Sequence, residues 1–393
     1  MVSTVTWVGC SAAETVPLDL GRSPDGGALQ GADPELGCTP ELEVVTSVQL
    51  PDGAGFEVPV VPAGRGQVVR IEPANRRDGT LSRRDLRTGA EVVVGRGFQR
   101  ILDADENGVL AVLDTEVYVR GESVVRTRRA YDAPYPRQRR LDGTRAWLCP
   151  DDTSLVALTG DPPTPTVDLA PRRCPGFLTA QGDSAVFVEL DLPAGVWSLF
   201  LWRSDTGTAR RVAAAPSRLE RLALYRSGLI WTSDGAGVEA WSPEAPEPQR
   251  LDPGPCLELD ALDETAVLAC DPSERRLATR ITLITPRGVR TVRKGPWSTA
   301  PRLGDGFVAW IEHDPSSLCG RPTTQSEVWL AHLQGGEPIR LAQLDSPCAC
   351  CGVFWPQPTL EVRGDTVVYT HARPDTEVAQ RSVGAAVVRA VCR

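Results

Sequence analysis

A short apolar strand recurs along this chain at intervals of about forty residues, each time next to a turn residue. The copies read Gly66-Gln-Val-Val-Arg-Ile, Gly108-Val-Leu-Ala-Val, Gly143-Thr-Arg-Ala-Trp-Leu, Gly182-Asp-Ser-Ala-Val-Phe-Val, Gly228-Leu-Ile-Trp, Asp263-Glu-Thr-Ala-Val-Leu-Ala, Gly306-Phe-Val-Ala-Trp-Ile and Gly364-Asp-Thr-Val-Val-Tyr. A period of this length marks a repeat architecture in which one supersecondary unit is used many times. Each copy leads into a second strand, a tight turn and a third strand. In one unit these are Thr80-Leu-Ser-Arg-Arg-Asp-Leu, Arg87-Thr-Gly-Ala and Glu91-Val-Val-Val; in another, Val328-Trp-Leu-Ala-His-Leu, Gln334-Gly-Gly-Glu and Pro338-Ile-Arg-Leu. Glycine at those turns supplies the positive φ that a tight hairpin needs.

Such a meander cannot bury both of its faces alone, so copies stack, and a closed ring hides every face against a neighbour. The chain of 393 residues also has 36 Gly and 34 Pro dispersed along its length, which suits many turns and disfavours long helices. The expected fold is therefore all-β: a β-propeller of about eight four-stranded antiparallel blades, or seven if the weak copy at Gly143 is absorbed into a neighbour. Two further strands, Glu41-Leu-Glu-Val-Val and Phe56-Glu-Val-Pro-Val-Val, precede the first copy. One should begin the first blade, and the other should close the ring beside Ala385-Ala-Val-Val-Arg-Ala-Val-Cys.

The Gly-His and Trp-Asp signature of WD40 blades is missing. Leu333-Gln-Gly-Gly-Glu-Pro-Ile-Arg-Leu and Asp85-Leu-Arg-Thr-Gly instead resemble the TolB-like blade, with its Asp-Leu, Gly-Gly or Thr-Gly turn and Pro-x-Arg-Leu. That resemblance runs over about residues 60 to 393 and implies blade shape rather than an activity.

Ahead of the repeat, Trp7-Val8-Gly9-Cys10-Ser11-Ala12 resembles a bacterial lipobox, which implies lipidation of Cys10. The nine residues before Cys10 are fewer than a full signal leader has. Residues 1–39 are thus expected to be a truncated signal and lipobox remnant with a flexible Gly, Pro, Asp and Ala-rich tether, and residues 40–393 a single propeller domain. The other reading is an ordinary cysteine in a flexible tail. Eleven cysteines against three histidines favour disulfides and an oxidising compartment over a metal centre, and no spacing sets ligands around zinc. Setting Cys10 aside leaves an even number.

Mapped onto the repeat, Cys149, Cys174, Cys256, Cys270, Cys319, Cys348, Cys350 and Cys351 fall on one face, in the loops after second strands and between blades. The expected bonds are Cys149 with Cys174, Cys256 with Cys270, and Cys319 with one of Cys348, Cys350 and Cys351, whose remaining two join each other. Cys38 and Cys392 should meet as a clasp, because they lie at the beginning and the end of strands expected to pair antiparallel.

A net charge of −9 gives no reason to bind nucleic acid. No GxSxG elbow is present, Ser233-Asp-Gly-Ala-Gly-Val-Glu-Ala-Trp has one residue too many for a sialidase Asp-box, and no cofactor motif appears. Candidate ligand-binding residues are Tyr131, Tyr135 and Arg137 in an arginine-rich loop, the His313-Asp314 pair in the same loop as Cys319, and Phe354 with Trp355 beside the cysteine cluster, since aromatics and arginines are enriched at contact sites. The expectation is a non-catalytic, monomeric propeller of the bacterial envelope or exterior. It would bind a protein or glycan with its cysteine-rich face and touch membrane only through a lipid on Cys10. The alternative is a carbohydrate-active enzyme with an acid/base pair at the mouth of the central pore.

Overall fold

A computed structural model describes residues 38–49, 60–73, 79–126, 141, 145–151, 154–159, 164–168, 178–191, 196–215, 219–233, 237–252, 256–270, 280–295, 297–313, 323–347, 358–372 and 381–392. Among these there is no helix, and none long and apolar enough to cross a membrane. The strands form eight antiparallel sheets, seven of four strands and one of three. Seven blades are complete, in chain order 60–98, 100–126, 178–215, 219–252, 256–294, 298–347 and a last one made from 359–392. The last blade, blade 8, takes its outermost strand from Cys38–Gln49, which pairs with Arg381–Cys392. The remaining sheet, 145–168, is the third blade in order; among the described residues one bridge, Leu141 to Ala146, stands at the place of its innermost strand. That is the weak copy at Gly143.

The eight repeated segments are the second strands of the blades, among them Gln67–Pro73, Gly228–Ser233 and Phe307–His313. Every residue of Gly228–Ser233 and of Phe307–His313 is buried. A strand covered on both faces reads as an unbroken apolar run instead of an alternation, which is why these segments stand out in the sequence.

Packing follows the same cycle. Among the described residues there are eight apolar clusters, and each joins one blade to the next. Val61, Val69 and Leu81 pack on Ile101 and Val117 between blades 1 and 2. Leu110 and Tyr118 meet Leu141 and Ala146 between blades 2 and 3, and Trp147 meets Trp202 edge-on at 4.9 Å between blades 3 and 4. The ring is completed by Val60, Val68 and Leu86 of blade 1 against Val368, Ala385 and Val387 of blade 8. Polar contacts reinforce that seam. The Gly66 N–H donates to Asp365 Oδ1 (2.7 Å) and Thr366 Oγ1 (2.9 Å), and Arg87 donates to both Glu43 (2.9 Å) and Asp365 (2.8 Å). Opening any one of these interfaces would expose two sheet faces at once.

Candidate functional site

The first strand of each complete blade lines a central channel with about 1020 Å³ of empty space, part of it open to solvent. Arg221, Arg302 and Arg363 line it together with Asp103, Asp260 and Glu361. Three cations and three anions make a charge-compensated wall.

Two of these carboxylates, Asp103 and Asp260, are tied to the ring itself, and the third, Glu361, supports the charge of Arg302. Asp103, in Arg100–Ala104 of blade 2, accepts the N–H of Leu141 (2.8 Å) at the place of the first strand of blade 3, and also receives Arg363 at 3.1 Å. Arg363 reaches on to the Leu141 carbonyl at 3.3 Å. In blade 6, strand Cys256–Leu262 carries Glu258 and Asp260, which accept the N–H groups of Ala300 and Leu303 from blade 7, each at 2.9 Å. Ala300 has φ near +51° and sits where the register shifts between Thr299 and Arg302. A bulge of this kind re-aims the following side chain, here Arg302. Burial works against the Arg302 charge, but Glu361, Asp260 and Glu258 outweigh it and hold the guanidinium more firmly protonated than a free arginine. Charge-assisted hydrogen bonds to backbone N–H groups are among the stronger polar contacts. These acids therefore stitch neighbouring first strands together.

His313 was expected in a loop with Asp314; it is instead the last residue of strand Phe307–His313 and is buried. Its ring stands 4.3 Å from that of Trp297, with Nε2 2.7 Å from Thr299 Oγ1 and Nδ1 2.9 Å from Ser326 Oγ. Burial pushes its pKa down to about 4. Both ring nitrogens are engaged within the blade.

Tyr131, Tyr135, Arg137, Asp314, Phe354 and Trp355 lie outside the described residues, as do Cys10, Cys174, Cys319, Cys348, Cys350 and Cys351. Cys149 is placed as backbone in strand Arg145–Asp151. Cys256 and Cys270 are bonded to each other and are direct partners in their ladder. Cys38 is also disulfide-bonded. The channel charges were not among the residues picked out of the sequence. Their signal was present: Asp103, Asp260, Arg302 and Arg363 all lie within a few residues of a turn that opens one of the repeated strands. Among the described residues no group of three or more potential ligands is placed to hold a metal ion.

No protein-family model matches the chain, and no curated protein does. Solved structures similar to it include BamB from Moraxella catarrhalis, at 11% identity and a TM-score of 0.49, covering 88% of this chain and 100% of that one. An oligogalacturonate lyase in complex with manganese is 11% identical with a TM-score of 0.48, covering 89% and 98%. A putative TolB from Agrobacterium tumefaciens is 14% identical with a TM-score of 0.36, covering 63% and 87%. At such identities a likeness concerns fold alone, and the strand order and cyclic clusters establish the propeller independently of it.

Proposed function

We propose that this protein is a non-catalytic binding propeller of the bacterial envelope or exterior, which engages a protein or glycan through its loop face. The observation that carries this reading is the engagement of the channel acids Asp103 and Asp260, each of which accepts a backbone N–H from the next blade, as does Glu258 on the same strand as Asp260. A general acid or base must exchange its proton with substrate, whereas these groups serve the ring. In this reading Tyr131, Tyr135, Arg137, Phe354 and Trp355 supply the recognition surface. Bonded cysteines at Cys38, Cys256 and Cys270 suit an oxidising compartment. A lipid on Cys10 would tether the monomer.

The test pairs binding with turnover. Wild-type protein and a Tyr131→Ala/Tyr135→Ala variant are compared on an oligosaccharide array and by crosslinking in envelope extracts, while reducing-sugar release is followed on the bound glycans. Loss of capture in the aromatic variant, without sugar release by either protein, is expected. Release of sugar that disappears in Asp103→Asn or Asp260→Asn would establish the carbohydrate-active alternative.

A further inference from the structure

The outermost strand of a propeller blade has one free edge, a row of unpaired N–H and C=O groups that another chain can extend, and soluble proteins blunt such edges with proline, charge or shortness. This protein does so around most of the ring. The outer strands Thr164–Asp168, Ala245–Asp252 and Cys38–Gln49 contain Pro165, Pro248 and Pro40. Ala209–Ala215, Gly288–Lys294 and Ile339–Pro347 carry Arg210, Lys294 and Arg340. The outer strand of blade 2, Ser123–Arg126, is only 4 residues long.

Blade 1 also keeps a charge on its outer strand, Arg96, but sets two exposed valines on the same edge. That strand, Glu91–Phe98, begins Glu-Val-Val-Val-Gly, has neither proline nor lysine, and among the described residues pairs only with Gly79–Asp85. Val92 and Val93 are 66% and 61% exposed, the two most exposed large apolar residues described. Successive residues of a strand point to opposite faces, so each face of this edge exposes one valine. The strand's one acid is already committed: Glu91 takes a two-pronged contact from Arg70 (2.9 and 2.8 Å) and a further bond from Ser82. Arg96 on the same strand is exposed, and Arg84 stands opposite Glu91 on the neighbouring strand.

We propose that the free edge of Glu91–Phe98 is a docking site for an extended, acidic segment of a partner protein, which adds to blade 1 as a fifth antiparallel or parallel strand. Main-chain hydrogen bonds supply affinity in this mode, and alternate side chains supply selectivity. Apolar residues of the segment cover Val92 and Val93, and its acids face Arg84 and Arg96. The arginines favour an acidic segment over a basic one by charge complementarity. The site lies on the rim of the propeller and is independent of the loop face, so the two can fail separately.

The probe is a short, blocked, fluorescein-labelled peptide of alternating valine and glutamate, with its valine–lysine counterpart as control. Anisotropy titrations are run on wild type, Val92→Ser/Val93→Ser, Arg96→Gln, and Val289→Ser, which alters an equally exposed valine on blade 6 (59%). Saturable binding of the acidic peptide is expected, weakened roughly tenfold or more by Val92→Ser/Val93→Ser and left unchanged by Val289→Ser. Arg96→Gln should weaken binding and reduce its salt dependence, and amide exchange over 91–96 should slow when the peptide is bound. Unfolding midpoints confirm that each variant is folded. Equal binding to Val92→Ser/Val93→Ser, equal binding of the lysine peptide, or no saturation would overturn the proposal. So would a concentration-dependent dimer that the double serine variant abolishes, since the occupant would then be a second copy.

Discussion

Cys38 and Cys392 are direct partners in the antiparallel ladder of blade 8, the first described residue of the chain opposite the last. Cys38 is fully buried and disulfide-bonded. The register makes Cys392 its expected mate. Such a bond would join the two ends of the propeller within one blade, and Arg87 would hold that blade to blade 1 through Glu43 and Asp365.

Cys392→Ser is accordingly expected to lower the thermal midpoint more than Cys256→Ser/Cys270→Ser does. Cross-linking removes chain entropy from the unfolded state in proportion to the logarithm of loop length. A loop of roughly 350 residues stabilises by upwards of about 4 kcal/mol in that account, against about 3 kcal/mol for one of about 15. Calorimetry of the two variants decides the matter. A Cys392→Ser protein as stable as wild type would mean that Cys38 is bonded elsewhere.

Gly336 provides a second test of the same region. It lies in the turn before the outer strand of blade 7, with φ near +101°, and a Cβ there would stand 2.1 Å from the Cys38 carbonyl oxygen. Gly89 also has positive φ, near +73°, but nothing lies within 4 Å of its Cβ position. Gly336→Ala should thus cost about 3 kcal/mol or more by urea unfolding, and Gly89→Ala only about 1 kcal/mol. Similar costs would show that the turn can move away from Cys38.

The second strands were legible in the sequence because double-sided burial writes an apolar run next to a turn. The Leu141 bridge was not, since a one-residue pairing leaves no pattern, although the weakness of the Gly143 copy marked its place. The sequence places His313 in a loop because its neighbours, Thr299 in the preceding strand of the blade and Trp297 just ahead of that strand, are announced by no local signal. The channel charges escaped for a related reason. Arg363 and Asp103 are 260 residues apart in sequence, and only closure of the ring brings them together.

Across the junction of blades 6 and 7, Arg293 grips Glu312 with two hydrogen bonds, 2.9 and 3.2 Å, while the Trp310 indole N–H donates to the same carboxylate at 3.0 Å. Glu312 is 4% exposed at its side chain and Arg293 35%. Removing the arginine leaves a buried carboxylate with one indole donor, and breaking buried pairs in this way is costly. Since Arg293 is partly solvated, the expected loss for Arg293→Ala is about 2 kcal/mol rather than the full figure for a dry pair. Arg293→Ala/Glu312→Gln should recover part of it, because the neutral amide needs no counterion. A double-mutant cycle showing no coupling would mean that water replaces Arg293 at no cost.

His313 sets a pH dependence whose sign follows from its burial. In the unfolded chain an imidazole titrates near 6.5, whereas in the fold its pKa is pushed down to about 4. Above pH 6.5 the ring is neutral in both states and its contribution to stability is fully present. As pH falls from about 6.5 towards 4 the unfolded chain takes up a proton that the folded protein refuses, so stability declines through this window and the loss levels off below it. The displacement corresponds to a loss of about 3 kcal/mol at most. His313→Gln keeps a polar side chain between Thr299 and Ser326 but cannot titrate. Urea midpoints at pH 7.5 and pH 4.5 should therefore fall further in wild type than in His313→Gln, even if the variant is less stable at the higher pH. Carboxylates elsewhere titrate in both proteins and cancel in the comparison. Equal declines would show that His313 takes up its proton inside the blade, with Thr299 and Ser326 turning to accept from both ring nitrogens.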